Sequence, residues 1–204
     1  MPTLIKNLVH VTDYDYTYHF IYPTTTFKRT LWLCLLFLID NLLRTYTTTE
    51  MAYFTTMTTK VSDASKTNAV IMGRRTWDCI PVKYRPLINR VNIVLTHQVD
   101  AIKEKAPDGV IVVPSLDEAI SYIESRDDIE STWVIGGSSI YKAAMEHPNC
   151  GKIYLTEIQK SFTCDTFFPN IDKQQFHLVD EEEVPGERQV EGDISYFFRV
   201  YRRL

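Results

Sequence analysis

Glycine is scarce. There are seven in 204 residues, and the first is Gly73. The stretch before it therefore has no glycine hinge for a mobile flap. Cysteine is also sparse: Cys34, Cys79, Cys150 and Cys164 form no Cys-x-x-Cys pair and have no histidines at zinc-finger spacing. A zinc finger is excluded, no metal is expected, and free thiols in a reducing compartment are the default. Lys and Arg total 22 against 26 Asp and Glu, for a net charge of −4, and no basic block stands out. A nucleic-acid footprint is not indicated, so an anionic ligand would need a local basic pocket. Long apolar runs are missing too. Residues 31–39 are continuously apolar, but the run is too short to span a membrane and too far in for an ordinary signal peptide. It reads as a buried strand or short core helix; the alternatives are a membrane-associated segment and a stretch foreign to the native start.

The composition, 45% hydrophobic and 24% charged, suits one globular domain with a sizeable core. Residues 1–40 resemble nothing that follows and are set apart as an atypical extension; residues 41–204 form the domain. There is no internal repeat and no second domain. A helical pattern runs through Glu50, Met51, Tyr53, Phe54 and Met57. Short apolar strands are expected at 69–72, 91–95, 110–113, 133–135 and 153–158, with helices after Gly73, Ser115 and Ser138. Ser115-Leu-Asp-Glu118 matches a capping box. Two long strands, around 176–183 and 194–202, close the chain across a polar stretch. The fold class is α/β: a mostly parallel central sheet with flanking helices and an antiparallel C-terminal edge.

Ligands of such sheets bind at the carboxyl ends of strands. Three expected strand ends carry polar turns: Gly73-Arg74-Arg75-Thr76, Thr96-His97, and Gly136-Gly137-Ser138 after Ile135. Arginines in a helix's first turn oppose its dipole, and a bound anion would remove the conflict. The plain alternative is that both arginines point into water, and a lone histidine such as His97 is most often a surface residue. Trp133-Val-Ile-Gly-Gly-Ser-Ser-Ile-Tyr141 reads as strand, turn and helix, with Ser138 as N-cap and free N–H groups facing an anion. A Gly-Gly turn is more often purely structural. Glu50 is the main acid candidate, because a carboxyl in an apolar cleft holds its proton. Its alternative is an exposed acid favoured by the helix dipole.

From about Glu50 to Leu204 the chain resembles dihydrofolate reductases of the animal type. The motifs are Glu50-Met-Ala-Tyr-Phe54, Asn68-Ala-Val-Ile-Met-Gly-Arg-Arg-Thr-Trp77, Ile80-Pro81, Arg85-Pro-Leu87, Arg90-Val-Asn-Ile-Val-Leu95, the Trp133–Tyr141 run and Asp165-Thr-Phe-Phe-Pro169. The resemblance implies NADPH-dependent reduction of 7,8-dihydrofolate to tetrahydrofolate. Glu50 would be the active-site acid, braced by Thr156. Phe54, Ile80, Leu87 and Tyr141 would line the substrate, and Arg90 would clamp the carboxylate of its glutamate tail. Arg74, Arg75, Thr76, Thr96, His97, Ile135, Gly136, Gly137, Ser138, Ser139 and Ile140 would hold the cofactor. Dihydrofolate and antifolates are the implied small-molecule ligands. A monomer in the cytoplasm or mitochondrion, with no membrane and no nucleic acid, completes the expectation.

The match breaks before Glu50. The family's first strand, its Gly-Ile-Gly lid and its Leu-Pro-Trp segment have no counterpart in residues 1–49, and Arg44 or a neighbour stands at the tryptophan position. The run at 31–39 is the candidate replacement for the missing strand. His97 stands where the family usually has an arginine facing the cofactor's 2′-phosphate, which weakens the expected preference for NADPH. Three outcomes stay open: a working reductase with a divergent start, an inactive chain with an altered start, and a non-catalytic folate or nucleotide binder. The fold-sharing reductase of riboflavin synthesis is a further enzyme alternative, against which Glu50 and Arg90 speak.

Overall fold

The computed structural model describes residues 31–34, 48–160 and 168–204. Among the described residues nine strands form one sheet: β1 (Leu31–Cys34), β2 (Thr67–Gly73), β3 (Arg90–Leu95), β4 (Ile111–Val113), β5 (Ile129–Val134), β6 (Cys150–Ile158), β7 (Phe176–Val179), β8 (Gln189–Glu191) and β9 (Ile194–Arg203). Their order is β4-β3-β2-β5-β1-β6-β9-β7, with β8 added on β9. Pairings from β4 to β6 are parallel, whereas β9 runs antiparallel to β6, β7 and β8. This is the parallel sheet with an antiparallel edge that the alternating pattern predicts. The strand at the centre, β1, comes from the apolar run at 31–39 and sits parallel between β5 and β6. The sheet thus draws on a segment unlike the rest of the chain in sequence. The lid expectation, by contrast, falls mainly outside the described residues.

Helices α1 (Thr48–Thr59), α2 (Arg74–Cys79), α3 (Val99–Lys103), α4 (Leu116–Glu124) and α5 (Ser138–Glu146) cover the faces. Side chains alternate along each strand, and the two largest hydrophobic clusters follow that alternation. Ala69, Ile71, Ile93, Val134, Ile153 and Leu155 pack with α4 and α5. Val70, Met72, Val94, Trp133 and Tyr154 pack with Phe54 of α1, Trp77 of α2 and Ile102 of α3. Among the described residues no helix is long and apolar enough to cross a membrane.

Three expectations are corrected by the structure. The helix after the double glycine is capped by Gly137 in extended geometry, with no side-chain cap bond, and Ser138 is its first residue. The strand expected at 176–183 ends at Val179, where a turn closes with the Val184 N–H donating to the Glu181 carbonyl. The polar stretch before β9 contains β8, a strand without apolar alternation. The segment after His97 holds α3, barely more than one turn, anchored by buried Ile102. Ser115 is the N-cap of α4, its Oγ accepting from the Glu118 N–H at 3.2 Å.

Candidate active site

Helix α1 presents one unusual stripe. Glu50, Phe54 and Thr58 are four residues apart, so they share a face. All three are buried: Glu50 is 4% exposed, Phe54 3% and Thr58 0%. A face that is two-thirds polar buries little apolar surface, so specific bonds at the helix ends add to the packing of Phe54, Met57 and Tyr53. At its C-terminal end the buried Asn68 amide donates to the carbonyls of Thr58 (3.1 Å) and Lys60 (2.8 Å), and its Oδ1 accepts from the Ser131 N–H. At the N-terminal end the Thr49 N–H donates to Glu191 at 3.0 Å. A misplacement of the acid would require breaking one of these clamps.

Thr156 reaches Glu50 because β6 alternates: Tyr154 and Thr156 face α1, while Ile153 and Leu155 face the opposite layer. The Thr156 hydroxyl hydrogen-bonds the Glu50 carboxyl. Burial, reinforced by the negative charge of Glu191, pushes the Glu50 carboxyl from 4.5 up to about 8, and the Thr156 bond opposes that shift. The acid is therefore mostly protonated at neutral pH.

The other end of the stripe leads to Arg90. Its Nη1 donates to Thr58 Oγ1 at 2.7 Å and its Nε to the Ile88 carbonyl at 3.0 Å. The guanidinium carbon lies 5.8 Å from the centre of the Phe54 ring, a cation–π distance. Burial pulls the guanidinium below its ordinary value. Leu87 is brought to the same wall by Asn92, which accepts from the Leu87 N–H (2.9 Å) and donates to the Leu87 carbonyl (2.8 Å). Phe54, Ile80 and Leu87 belong to one cluster. An acid at one end, apolar walls between, and a cation at the far end suit a flat heteroaromatic ligand carrying a carboxylate tail.

The second half of the site lies at the carboxyl edge of β3, β2 and β5. Gly73 pairs with Leu95, so Arg74 and Thr96 leave level strand ends, whereas Val134 pairs with Ile71, so β5 stops two residues earlier and Ile135 still lies alongside β2. The Gly73 N–H donates to the Gly136 carbonyl at 2.7 Å, tying the first turn to the double glycine. Gly136 has φ +114°, and the Gly136–Gly137 peptide is cis. A Cβ on Gly136 would stand 3.1 Å from Tyr141 Oη, and one on Gly73 would stand 3.2 Å from Ile140 Cγ1. Bare backbone is thus required at Gly136, while at Gly73 a Cβ would press on the Ile140 side chain. Helix α5 starts here with no acid in its first turn. Arg75, Arg74 and His97 are exposed beside it, Thr76 is partly buried, and Arg74 bonds Gln98 and pairs with Asp78. Ser138 and Ile140 are half-buried, and Ser139 is exposed. Tyr141 is buried edge-on to Phe168, its ring centre 5.2 Å away.

The structure brings Glu50, Thr156, Phe54, Ile80, Leu87 and Arg90 along one side of the sheet, and the strand-end residues along its carboxyl edge. Asp165, Thr166 and Phe167 of the last motif lie outside the described residues. Sequence reasoning missed Thr58, Asn68 and Glu191. Thr58 was legible from its spacing with Glu50 and Phe54; Glu191, far along the chain, left no local signal.

The family model described as dihydrofolate reductase matches residues 39–203. The dihydrofolate reductase of Heliothis virescens is 81% identical over 155 residues, covering 76% of this chain and 84% of that one. That of Sus scrofa is 42% identical over 158 residues, covering 76% and 83%. Among solved structures, Schistosoma mansoni dihydrofolate reductase superposes with a TM-score of 0.71 at 30% identity, over 85% of this chain and 98% of that chain.

Proposed function

Because the chain belongs to the dihydrofolate reductase family, we propose that it reduces 7,8-dihydrofolate to 5,6,7,8-tetrahydrofolate with NADPH, serving one-carbon and thymidylate metabolism. The observation that carries this reading is the α1 stripe: a buried, protonated Glu50 in line with Phe54 and an Arg90-bearing far end. A ring with a 2-amino group and an N3–H offers donors to the Glu50 carboxyl. Those donors favour its ionised form, so docking of the pterin eases loss of the proton that burial had retained. That proton serves N5, directly or through a water. Thr156 holds the carboxyl in place, and Phe54, Ile80 and Leu87 exclude water from the ring.

The residues present suit a pyridine dinucleotide phosphate. Bare backbone at Gly136 and Gly137, the acid-free first turn of α5, and the Arg74–Arg75 pair suit phosphate groups. When bound, the reduced nicotinamide supplies the hydride. Gly136, Gly137, Ser138, Ser139 and Ile140 would wrap the pyrophosphate, Ile135 and Tyr141 would border the nicotinamide, and Arg75, Thr76, Thr96 and His97 would take the remaining phosphate side. We further assign a monomer acting in a reducing compartment, the cytoplasm or mitochondrion, in keeping with free Cys79 and Cys150.

The deciding experiment follows NADPH oxidation by the purified full chain with dihydrofolate. Turnover that antifolates inhibit supports the reading; tight antifolate binding without turnover at any pH overturns it in favour of a binding-only relative. Two variants sharpen the assignments. Arg90→Lys keeps the charge but not the fork. It is expected to raise the KM for dihydrofolate about 10- to 100-fold with kcat nearly unchanged, the mark of lost uniform binding. His97→Arg adds a permanent charge beside the proposed 2′-phosphate position. The ratio of kcat/KM for NADPH over NADH should rise about tenfold, and an unchanged ratio would remove His97 from the cofactor site.

A further inference from the structure

Glu191 lies outside every motif that assigns the site, yet it touches the turn that carries the acid. It ends β8, paired with Ile194 of β9. Its Oε1 accepts both the backbone N–H and the hydroxyl of Thr49, each at 3.0 Å. Its Oε2 accepts the phenol of Tyr196 at 2.9 Å. Tyr196 is itself buried at 1% exposure, in a cluster with Phe198 and Ile194 against which Tyr53 of α1 packs. Three donors converging on two oxygens require a pure acceptor, the role of an ionised carboxylate. Thr49 immediately precedes Glu50 in the first turn of α1.

We propose that Glu191 is a positioning residue for Glu50: from the C-terminal hairpin it holds the first turn of α1 through the backbone N–H and hydroxyl of Thr49. The inference rests on the reading of Glu50 as the acid that serves the pterin. Among the described residues, the groups acting on Glu50 are the Thr156 hydroxyl from β6 and the Glu191 carboxylate from β8. Tyr196 on β9 also senses the Glu50 charge and bonds both Glu191 and Thr49. The arrangement opposes two effects. Thr156 favours the ionised acid, and Glu191 disfavours it. Burial sets most of the retention of the Glu50 proton, and Glu191 on the edge strand and Thr156 on β6 adjust it in opposite directions.

The test is a titration of the full chain carrying ¹³C-labelled glutamate, with the Glu50 carboxyl resonance assigned by its loss in Glu50→Gln. Glu191→Gln keeps an acceptor for the Thr49 N–H and removes the charge. Its Glu50 midpoint should fall by about one unit or more, and the alkaline limb of the pH–rate profile for NADPH oxidation should fall with it. Glu191→Asp, which retains the charge, should keep the midpoint nearer the parent's. A Glu50 midpoint unchanged in Glu191→Gln overturns the proposal. So does a Glu191→Asp variant indistinguishable from Glu191→Gln, because the effect would then be structural and not due to charge. A shifted midpoint in a chain with no turnover supports the coupling and sinks the catalytic reading of Glu50, so the two failures are distinct.

Discussion

Glu50→Gln is expected to lower NADPH oxidation with dihydrofolate by at least about a hundredfold at neutral pH, the usual scale for a positioned acid. Glutamine fills the same volume and still faces Thr156, but it has no proton to give. The same substitution should change how stability depends on pH, and that readout needs no turnover. The folded-state value of Glu50 stands near 8 against an ordinary 4.5. Below about pH 4.5 both folded and unfolded chains hold the proton. As pH rises, the unfolded chain loses it first while the folded chain keeps it. The stability associated with this group is therefore fully present in acid. It declines through the window between the two values and levels off above about 8, with a slope of at most about 1.4 kcal/mol per pH unit. Urea unfolding of parent and Glu50→Gln across that window should give curves that converge at low pH and separate at high pH, with the variant the more stable. Parallel curves would mean that Glu50 titrates normally, and the protonated-acid mechanism would fall.

The second large effect is expected from Gly136→Ala. The residue holds φ +114°, where an L side chain is strained by about 1–3 kcal/mol. The added methyl would also lie 3.1 Å from Tyr141 Oη and 3.3 Å from its ring carbons. Tyr141 is buried and wedged against Phe168, so it cannot swing away without opening the core. The turn must shift instead, and the Gly73 N–H bond to the Gly136 carbonyl moves with it. Loss of about 1–3 kcal/mol in unfolding free energy is expected, together with at least a tenfold weaker affinity for NADPH by fluorescence titration. Gly137→Ala is the natural comparison. Its Cβ would meet only Thr76 Oγ1, at an ordinary 3.6 Å, so its stability should be close to the parent's. If Gly136→Ala were no less stable than Gly137→Ala, the close packing of the double glycine against Tyr141 would not be what fixes this wall.

Much of this was legible before any coordinates. Parallel strands announced themselves as short apolar runs ended by glycine or a polar residue, and their carboxyl ends collected Arg74, Thr96 and Gly136. The capping role of Ser115 followed from its spacing to Glu118. The features that escaped share one cause: their partners are distant in sequence. Strand β8 has no alternation to betray it: Val190 is exposed, Gln189 bonds the Glu187 carbonyl, and Glu191 alone reaches α1 and β9. Glu191 bonds a residue 142 positions earlier, and a lone acid in a polar stretch gives no hint of that. Asn68 stood just before the expected strand at 69–72, and its work at the end of α1 shows only in three dimensions. Ser138 was misassigned as the cap for a different reason. A serine after two glycines is a good N-cap by type, but the extended geometry of Gly137 moves the boundary one residue earlier.

The place of β1 in the sheet has a consequence for how the chain assembles. Leu33 pairs with Val134, so about 100 residues must be closed into a loop before that contact can form. On the other side Cys34 pairs with Tyr154, later still. Strands β2, β3 and β4 are neighbours in sequence as well as in space and can dock early. On a ribosome, β1 is made before the other described strands and has to wait for β5 and β6. For most of synthesis its strand edges have no partner, and the chain's earliest apolar segment waits for its latest parallel strands. Such a segment is a natural binding site for chaperones, and the point at which a slow or interrupted synthesis would turn folding into aggregation.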